Sequence, residues 1–533
     1  MSTLDAVSRL ALTRPVSRRG FLRASAAASA LAGLGWLPGP RAFAGTGSLF
    51  ALGVASGDPA MRSVVLWTRL GRDPLAENGG MTAARVPVRW EVALDESFTR
   101  VVRKGKVLAT AAGGYAVHAI PAGLRPDTWY FYRFIAEGET SRVGRTRTMP
   151  ARNAAPGQLR FALVSCQDYQ NGYFAAYRDI AEQDLDLVVH VGDYIYEYGA
   201  NATAVRQHVG GETQTLADYR QRHALYKLDP QLQEAHARFP FLVTWDDHEV
   251  QNNYAGPFSE TGIEAKAWAA RRAAAYRAYW EHMPLRPSAR PKKNGMTLYR
   301  QLDFGPLARI FMLDGRQYRT DQPCDAPSLD IAPTCPGDSS PDGTFLGARQ
   351  EKFLLRGLER SRATWNVLAQ QVMMMRGDLA DAFGSSVPVF NMDAWDGYQA
   401  QRQRLLDFLA RGKAANPIVL TGDIHSAWAA DLKQDFLDPA SPAVAAEFVT
   451  SSITSDFPAV FVDLIEANLG PNSKNPHIYY FDGRKHGYVR CTVTPGLWRS
   501  DYRTVESILD PNAAAQTAAS WVVEAGVPGT KPA

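Results

Sequence analysis

The sequence contains little that would hold the chain in a membrane or on a nucleic acid. No segment after residue 44 has the long, uncharged apolar run of a transmembrane helix, so we expect no transmembrane anchor. The formal net charge is +4, but residues 1–44 carry six arginines against one aspartate, which leaves the rest at about −1. A chain without a basic excess is not expected to form a stable nucleic-acid complex or to coat anionic membranes.

Cysteine is also scarce, with four in 533 residues. Cys324 and Cys335 bracket a loop rich in proline, aspartate and serine, which in an exported protein predicts a loop-closing disulfide. Cys491 lies in an apparent strand, GYVRCTVT, and is expected to be a buried core thiol. Cys166 directly follows another predicted strand, where both a buried structural thiol and a metal ligand fit.

The first 44 residues predict export. They contain the basic sequence SRRGFLR at 17–23, a small-residue apolar run at 24–36 and the small-x-small sequence AFA at 42–44. This order is typical of a secretory signal peptide, and the apolar run is too short for a permanent anchor. The twin arginine followed by Phe-Leu resembles a twin-arginine (Tat) signal. The Tat machinery is therefore an expected partner, and the expected destination is the periplasm or the cell exterior.

The length of the chain suggests two domains or more after this signal. Residues 45–150 contain short strand-like runs such as VVLWTRL, VPVRWEVAL and WYFYRFIAE, separated by turn residues, which predict an all-β domain. Segment 124–130 leads into alternating aromatics and is similar to the corner of immunoglobulin-like and fibronectin-like sandwiches. We therefore expect a small β-sandwich in front of the rest of the chain.

Residues 151–500 show a different pattern, in which strands alternate with helices. Such alternation is typical of an α/β core. The predicted strands are 159–165, 186–191 and 239–245, with two more ending at Asp314 and Gly422; the predicted helices are 173–184, two within 216–237, and a long scaffold helix from Ala265 to Glu281. Segment 365–375 is a buried strand or helix. Residues 501–533 form a C-terminal tail, expected to be a terminal helix or a loose segment.

Four predicted strands are followed at once by side chains of the types that bind metals. They are Cys166 after LRFALVS, Asp193 and Tyr196 after LDLVVHVG, Asp247, His248 and Asn252 after FPFLVTW, and Asp423 and His425 after PIVLTG. Ligands of open α/β sheets bind at the carboxyl ends of strands, so these side chains are expected to meet at one edge. Taken singly each has a structural explanation, but the four stretches together favour a functional site.

The charges of this set argue for bound cations. Asp193, Asp247 and Asp423 would repel strongly when buried together, and cations remove that repulsion. Thiol, phenol, carboxylate and imidazole donors suit a transition metal such as ferric iron, whereas clustered oxygen donors suit calcium, magnesium or manganese. Asp193 could bridge the two. Adjacent metals about 3.5–4 Å apart are the standard apparatus for phosphoester cleavage.

The neighbours of these side chains are expected to be structural. Asp246 and Glu249 are interpreted as solvated loop charges. His190 lies inside a strand and is interpreted as a packed core histidine. Tyr194 and Tyr198 are assigned to packing, in contrast to the tyrosine that lies between them.

Seven longer motifs carry a resemblance to a known family. They are SCQ (165–167), GDYIYEYG (192–199), TWDDHEVQNNYA (244–255), LDGRQYRTDQP (313–323), WNVLAQQ (365–371), MDAWDGY (392–398) and VLTGDIHSAW (419–428). Together they resemble the PhoD-like alkaline phosphatase/phosphodiesterase family, from about residue 48 to about residue 456. The resemblance implies a four-layer α/β/β/α metallophosphoesterase core of the calcineurin-like type, related to purple acid phosphatases, preceded by the β-sandwich.

Compared with those related phosphoesterases, three ligand positions differ. The usual first Asp-x-His is absent and Cys166 takes its place, Asp247 stands where Asn is usual, and Asp423 stands where His is usual. The resemblance implies Fe(3+) and Ca(2+) as cofactors. The implied iron ligands are Cys166, Asp193, Tyr196 and His425, and the implied calcium ligands are Asp193, Asp247, Asp423 and Asn252.

The implied activity is hydrolysis of phosphomonoesters or phosphodiesters by a metal-bound hydroxide, with release of phosphate. His248 would contact the phosphate or protonate the leaving oxygen. Arg316 and Arg319 are either phosphate contacts or structural salt bridges. The expected substrates are small phosphate esters, with phospholipids and extracellular nucleic-acid or teichoic-type diesters as further options. Two alternatives stay open, a phospholipase-D-like lipid phosphodiesterase on the same site and a non-catalytic envelope protein that binds metal or phosphate.

Overall fold

A computed structural model describes residues 47–292, 295–324 and 330–533. The predicted signal peptide therefore lies outside the described residues. Within these ranges, no helix combines the length and the apolar character needed to cross a bilayer.

The front of the chain is all-β, as predicted. Its strands are β1 (Val54–Ala60), β2 (Ser63–Arg69), β3 (Arg85–Ala93), β4 (Val101–Thr110), β5 (Ala116–Ala119), β6 (Trp129–Ala136), β7 (Glu139–Thr140) and β8 (Gly144–Arg147). β3, β4, β6, β7 and β8 form one sheet, which packs on β1, β2 and β5 through a shared apolar cluster. The Tyr130 hydroxyl accepts a hydrogen bond of 2.8 Å from the Arg125 amide, which is the contact expected of the sandwich corner.

The remainder alternates between strands and helices. Its strands are β9 (Leu159–Val164), β10 (Leu187–His190), β11 (Pro240–Val243), β12 (Arg300–Phe304), β13 (Ala308–Met312), β14 (Ile331–Pro333), β15 (Trp365–Ala369), β16 (Val389–Asn391), β17 (Pro417–Thr421), β18 (Ala427–Lys433), β19 (Ala443–Val449), β20 (Ile478–Asp482), β21 (Gly487–Val493), β22 (Leu497–Val505), β23 (Ala515–Glu524) and β24 (Val527–Pro532). Its α-helices are α1 (Ala175–Glu182), α2 (Leu216–Lys227), α3 (Pro230–Arg238), α4 (Ala265–His282), α5 (Gly347–Glu359), α6 (Gln399–Ala410) and α7 (Ala459–Glu466).

Local sequence signals fix several of these boundaries. The Thr215 side chain accepts from the Asp218 amide, and Asp218 reaches back to the Thr215 amide, which forms a capping box at the start of α2. Asp229 caps α3, whose first residue is Pro230, a position where the missing N–H costs nothing. The predicted scaffold helix is confirmed as α4.

Two large sheets form the centre of the molecule. Their strand orders are β24-β23-β22-β21-β9-β10-β11-β1-β2-β5 and β12-β13-β15-β17-β19-β18-β20. One apolar cluster contains side chains from both sheets, including Phe161, Val189, Ile310 and Leu420, so the sheets pack face to face. Two further clusters place α1–α4 outside the first sheet and α5–α7 outside the second. This is the predicted α/β/β/α arrangement.

The first sheet joins the two parts of the chain. β1 pairs in parallel with β11, so one layer of the front sandwich continues the core sheet. β9, β10 and β11 are parallel to one another, as are β13, β15 and β17 in the second sheet. The carboxyl ends of each set therefore lie at one edge, where the functional side chains were expected.

The prediction for the C-terminal tail is wrong. β22 crosses residue 501, and β23 and β24 follow it as antiparallel strands of the first sheet. Val523 is 3% exposed and belongs to the cluster between the sheets. The alanine-rich and threonine-rich segment gives a weak local signal, and its pairing with β22 is what makes it a strand.

The cysteine predictions are confirmed. Cys324 and Cys335 form a disulfide, and Cys491 is a buried thiol on β21. Cys166 is a buried free thiol at the end of β9.

Candidate metal centre

The strand ends bring four predicted iron ligands together. The Cys166 thiol, an Asp193 carboxylate oxygen and a His425 ring nitrogen lie within 4.8 Å of one another. The Tyr196 hydroxyl is 3.2 Å from Asp193 Oδ2 and 3.0 Å from His425 Nε2. Burial lowers the pKa of His425 to about 4, so its imidazole is neutral and can act as a ligand. Ser455, which the sequence did not single out, donates to the Tyr196 hydroxyl at 2.6 Å.

The backbone is strained at these positions. Cys166, Asp193, Asp423 and His425 have φ angles of 57°, 55°, 65° and 58°, in the left-handed region that favours glycine. Such conformations cost on the order of 1–3 kcal/mol each and persist only where the surroundings hold them. Four of them at one edge indicate a functional site.

Glu249 holds one of the strained turns in place. Its carboxylate accepts hydrogen bonds from the amides of Asp193 at 3.0 Å, Tyr194 at 2.7 Å and Asp246 at 2.8 Å. The interpretation of Glu249 as a solvated loop charge is therefore wrong, since the side chain is buried and links two strand-end turns. Three amide donors stabilise a carboxylate that is removed from water.

Beside the predicted iron ligands lies a second group of acidic side chains. Asp193, Asp247 and His248 form one cluster within 4.8 Å, and Asp246, Asp247 and Asp423 form another. All are buried except Asp423, which is partly exposed. Asp193 Oδ1, Asp246 Oδ2 and Asp247 Oδ1 have no hydrogen-bond partner among the described residues. The interpretation of Asp246 as a solvated charge is also wrong, because it is 1% exposed and faces this cluster.

Electrostatics explain why this cluster needs a cation. Burial, reinforced by neighbouring carboxylates, raises the pKa of Asp193 well above its usual range, and burial does the same to Asp423. Burial also raises the pKa of the Cys166 thiol. A bound cation would reverse these shifts, because it stabilises the charged form of every ligand at once.

Arg316 supplies part of the missing positive charge. Its guanidinium is fully buried, pairs with Asp246 through Nε and donates to Asp393 at 2.8 Å. Its Nη2 is 3.2 Å from Asp247 Oδ1 and 3.4 Å from Asp423 Oδ1. One guanidinium therefore orients the carboxylates of both sheets.

Arg319 also has carboxylate partners. It donates to the Asp393 carbonyl at 2.8 Å and to Asp393 Oδ1 at 2.7 Å. Of the two roles considered for Arg316 and Arg319, the structure therefore favours the salt bridge. Asp393 lies in the MDAWDGY motif, and that motif was the only signal in the sequence that could have identified it.

His248 is oriented by Glu197. His248 Nδ1 is 2.7 Å from Glu197 Oε2, and the imidazole stacks on the Tyr196 ring at 4.1 Å. Burial alone would lower the pKa of His248, but the charge of Glu197, together with Asp247 and Asp193, raises it well above its usual value. The contact with Glu197 is made through Nδ1, and Nε2 has no hydrogen-bond partner among the described residues. Glu197 follows Tyr196 in sequence, and no pattern assigned it a role.

Asn252 makes no hydrogen bond to the carboxylates with which it was predicted to bind calcium. The Asn252 side chain donates to Glu260 at 2.9 Å and accepts from Tyr198 at 3.3 Å, so its contacts are with those residues and not with Asp247. The backbone amide of Asn252 donates to Glu197 Oε1 at 2.8 Å. Tyr194 is buried, as is His190, and Tyr198 packs edge-on against His248. Packing roles for Tyr194 and His190 agree with the structure, whereas Tyr198 is 38% exposed.

The site places thiol, phenol and imidazole donors next to a group of carboxylates. The His248 imidazole lies beside those carboxylates. Such a site can bind cations and an anionic ester together, and can transfer a proton to a departing oxygen.

Comparisons with known proteins agree with this chemistry. The sequence profile of the PhoD-like phosphatase family matches residues 161–502, and that of its N-terminal domain matches residues 39–150. Alkaline phosphatase D of Bacillus subtilis (strain 168) is 47% identical over 486 residues, which cover 89% of this chain and 81% of the relative. A solved structure of PhoD superposes with a TM-score of 0.86 at 46% identity, covering 91% of this chain and 92% of the other.

A more distant structure shares the fold. Purple acid phosphatase PPD1 from yellow lupin (Lupinus luteus) seeds superposes with a TM-score of 0.54 at 13% identity, covering 88% of this chain and 73% of the other. The four-layer core is thus the one that the sequence motifs implied. The chain belongs to the PhoD-like phosphatase family and is a phosphoric ester hydrolase.

Proposed function

We propose that this enzyme hydrolyses phosphomonoesters and phosphodiesters outside the cytoplasm with ferric iron and calcium at the shared edge of its two sheets. The observation that carries the proposal is the meeting of a thiol, a phenol, an imidazole and buried carboxylates at the ends of β9, β10, β11 and β17. Asp193 Oδ1 and Asp246 Oδ2 have no hydrogen-bond partner among the described residues, and Asp247 Oδ1 is compensated only by the ion pair with Arg316 at 3.2 Å. Buried anionic oxygens of this kind call for cations.

The donor types fit two different ions. Cys166, Asp193, Tyr196 and His425 would hold iron, because thiolate and phenolate suit a transition metal. The carboxylates of Asp193, Asp247 and Asp423 would hold calcium, which prefers several oxygens, and Asn252 would join them after a change of side-chain partner. When bound, the cations would lower the pKa of water to supply the nucleophile and would offset charge on the phosphoryl oxygens.

The protein's own side chains carry the remaining steps. Glu197 fixes the His248 ring, so that Nε2 can donate to a phosphoryl oxygen or give its proton to the leaving oxygen. Arg316 holds the carboxylates of Asp247 and Asp423 in position through its two ion pairs with them. Glu249 maintains the turn that presents Asp193.

The test combines metal analysis with assays on p-nitrophenyl phosphate and bis-p-nitrophenyl phosphate, with and without chelator. We expect iron and calcium in the purified protein and hydrolysis that the chelator abolishes. Full activity in metal-free protein would contradict the proposal. Metal retention without hydrolysis of either ester would instead support the non-catalytic alternative.

Export is tested separately. Residues 18 and 19 lie outside the described residues, so this proposal rests on the sequence alone. Replacing both arginines by lysine should leave the enzyme inside the cell with its signal uncleaved, because the Tat machinery reads the arginine pair. Unchanged export of the Arg18→Lys, Arg19→Lys variant would contradict this route.

A further inference from the structure

A basic groove lies on the outer side of the second sheet. It has a volume of about 600 Å³ and runs between helix α5 and the edge hairpin of β12 and β13. Its walls carry five basic side chains and one half-buried aromatic ring; they are Arg309, Arg349, Lys352, Arg356, Arg360 and Phe353. We call this feature the α5 groove.

Four of these charges are available to a ligand. Arg349, Lys352, Arg356 and Arg360 are exposed, and none of them forms a salt bridge within the described part of the chain. They recur at intervals of three or four residues along α5 and just past its end, which places them on one face of the helix. Arg309 differs, because it pairs with Asp303 at 2.7 Å.

The nearby acidic residues do not neutralise this face. Glu351 pairs with Arg404 at 2.8 Å on another side of the helix. Glu359 follows Lys352 by seven residues and so lies at the margin of the basic face, but it pairs with Lys413 at 3.3 Å. The chain after residue 44 has a formal charge of about −1, so a local surplus of four positive charges is not a consequence of overall composition.

The groove begins near the catalytic edge. In the first turn of α5, the Gln350 side chain exchanges two hydrogen bonds of 2.8 Å with the backbone of Asp314, at the end of β13. Arg316, two residues further on, contacts Asp423. From Arg349 to Arg360 the basic face extends about 16 Å along the helix, at about 1.5 Å per residue.

We propose that the α5 groove binds a linear phosphate polyanion, and that it thereby holds segments of a polymeric phosphodiester outside the active site. The inference about substrate class rests on the proposed function, whereas binding itself does not. Guanidinium groups pair two phosphate oxygens at once, and a row of them about 16 Å long suits several consecutive phosphates better than one. Because the basic side chains and the Phe353 ring line one groove, the site suits an extended chain better than the flat surface of an anionic membrane.

The test measures binding of long-chain inorganic polyphosphate, labelled at one end, by fluorescence anisotropy on the metal-loaded enzyme. The groove variant carries Arg349→Gln, Lys352→Gln, Arg356→Gln and Arg360→Gln. We expect it to bind at least about tenfold more weakly at 50 mM salt, with a salt slope reduced by about 3, because about four phosphate contacts and their counterion release are lost.

The chain offers a matched control. Arg85, Arg89, Lys104 and Lys106 are exposed on the open face of the β3–β4 sheet and have no salt bridge within the described residues. Replacing these four by glutamine changes the net charge equally but leaves the α5 groove intact. Polyphosphate affinity should then change less than about twofold. Equal losses in the two variants, or no loss in the groove variant, would overturn the proposal.

Two further measurements separate the other outcomes. If the groove variant loses binding to phosphatidylglycerol vesicles but keeps binding to polyphosphate, the groove is a membrane contact and the proposal is wrong. Turnover of p-nitrophenyl phosphate should be the same in the groove variant and wild type, which verifies folding. If the wild-type enzyme does not turn over p-nitrophenyl phosphate, the proposed function is wrong. The polyphosphate measurement would still show whether the α5 groove binds a phosphate polyanion.

Discussion

At the scale of single residues, the contact between Glu197 and His248 has the clearest consequence for turnover. The carboxylate lies 2.7 Å from Nδ1 and is itself buried, so its charge acts on the imidazole with little screening from water. It stabilises the protonated ring and fixes its orientation. Glu197 is therefore a positioning residue that acts through His248.

We predict that Glu197→Gln lowers kcat about 10- to 100-fold, within the range that positioned proton transfer contributes, and changes KM much less. If His248 protonates the leaving oxygen, the loss should be larger for phenyl phosphate than for p-nitrophenyl phosphate, because the poorer leaving group needs the proton more. Steady-state kinetics on both esters measure this. Equal losses would leave His248 as a phosphate contact only, and unchanged kcat would refute the role of Glu197.

Tyr196 is predicted to give the enzyme its colour. A phenolate bound to ferric iron absorbs visible light, so Tyr196→Phe should lose the visible band even where iron analysis shows that metal is retained. Tyr198→Phe is the matched control, because Tyr198 lies two residues further on and its hydroxyl contacts Asn252. A band that survives Tyr196→Phe would exclude phenolate ligation by this residue.

At the scale of elements, the last two strands complete the first sheet. Val523 on β23 lies opposite Trp498 and fills space between the sheets, whereas Val527 on β24 is 55% exposed. We predict that Val523→Ala lowers the free energy of unfolding by about 2 kcal/mol, because about two buried methylene equivalents are removed at roughly 0.8 kcal/mol each. Val527→Ala should change it by less than about 0.5 kcal/mol. Denaturant titration measures both, and equal effects would contradict the packing role of β23.

These elements also show what the sequence could and could not predict. β9, β10, β11 and β17 are short apolar runs followed within three residues by Gly, Asp or Cys, so their boundaries and ligands could be read locally. β23 could not, because its alanine-rich first half becomes a strand only through pairing with β22. The same reason explains the errors at Asp246 and Glu249. Their burial depends on Arg316 and on amides of the 193–194 turn, which are distant in sequence.

At the scale of the whole molecule, the candidate metal centre joins the two sheets. Cys166, Asp193 and Asp247 follow strands of the first sheet, whereas Asp423 and His425 follow β17 of the second. A cation held by both groups stabilises the packed arrangement, because the unfolded chain does not present these ligands together. Without cations, Arg316 would be left to offset the acidic side chains that converge there.

If iron and calcium both bind as proposed, chelation should remove one without the other. We predict that EGTA, which binds calcium strongly, abolishes hydrolysis and lowers Tm, but leaves the visible band that depends on Tyr196. Ligand linkage gives a stabilisation of about 4 kcal/mol when free calcium is 1,000 times its Kd, so the change in Tm should follow calcium concentration. Adding calcium back should restore both activity and Tm. An EGTA-treated enzyme that loses its colour together with its activity would mean that one ion, and not two, occupies this edge.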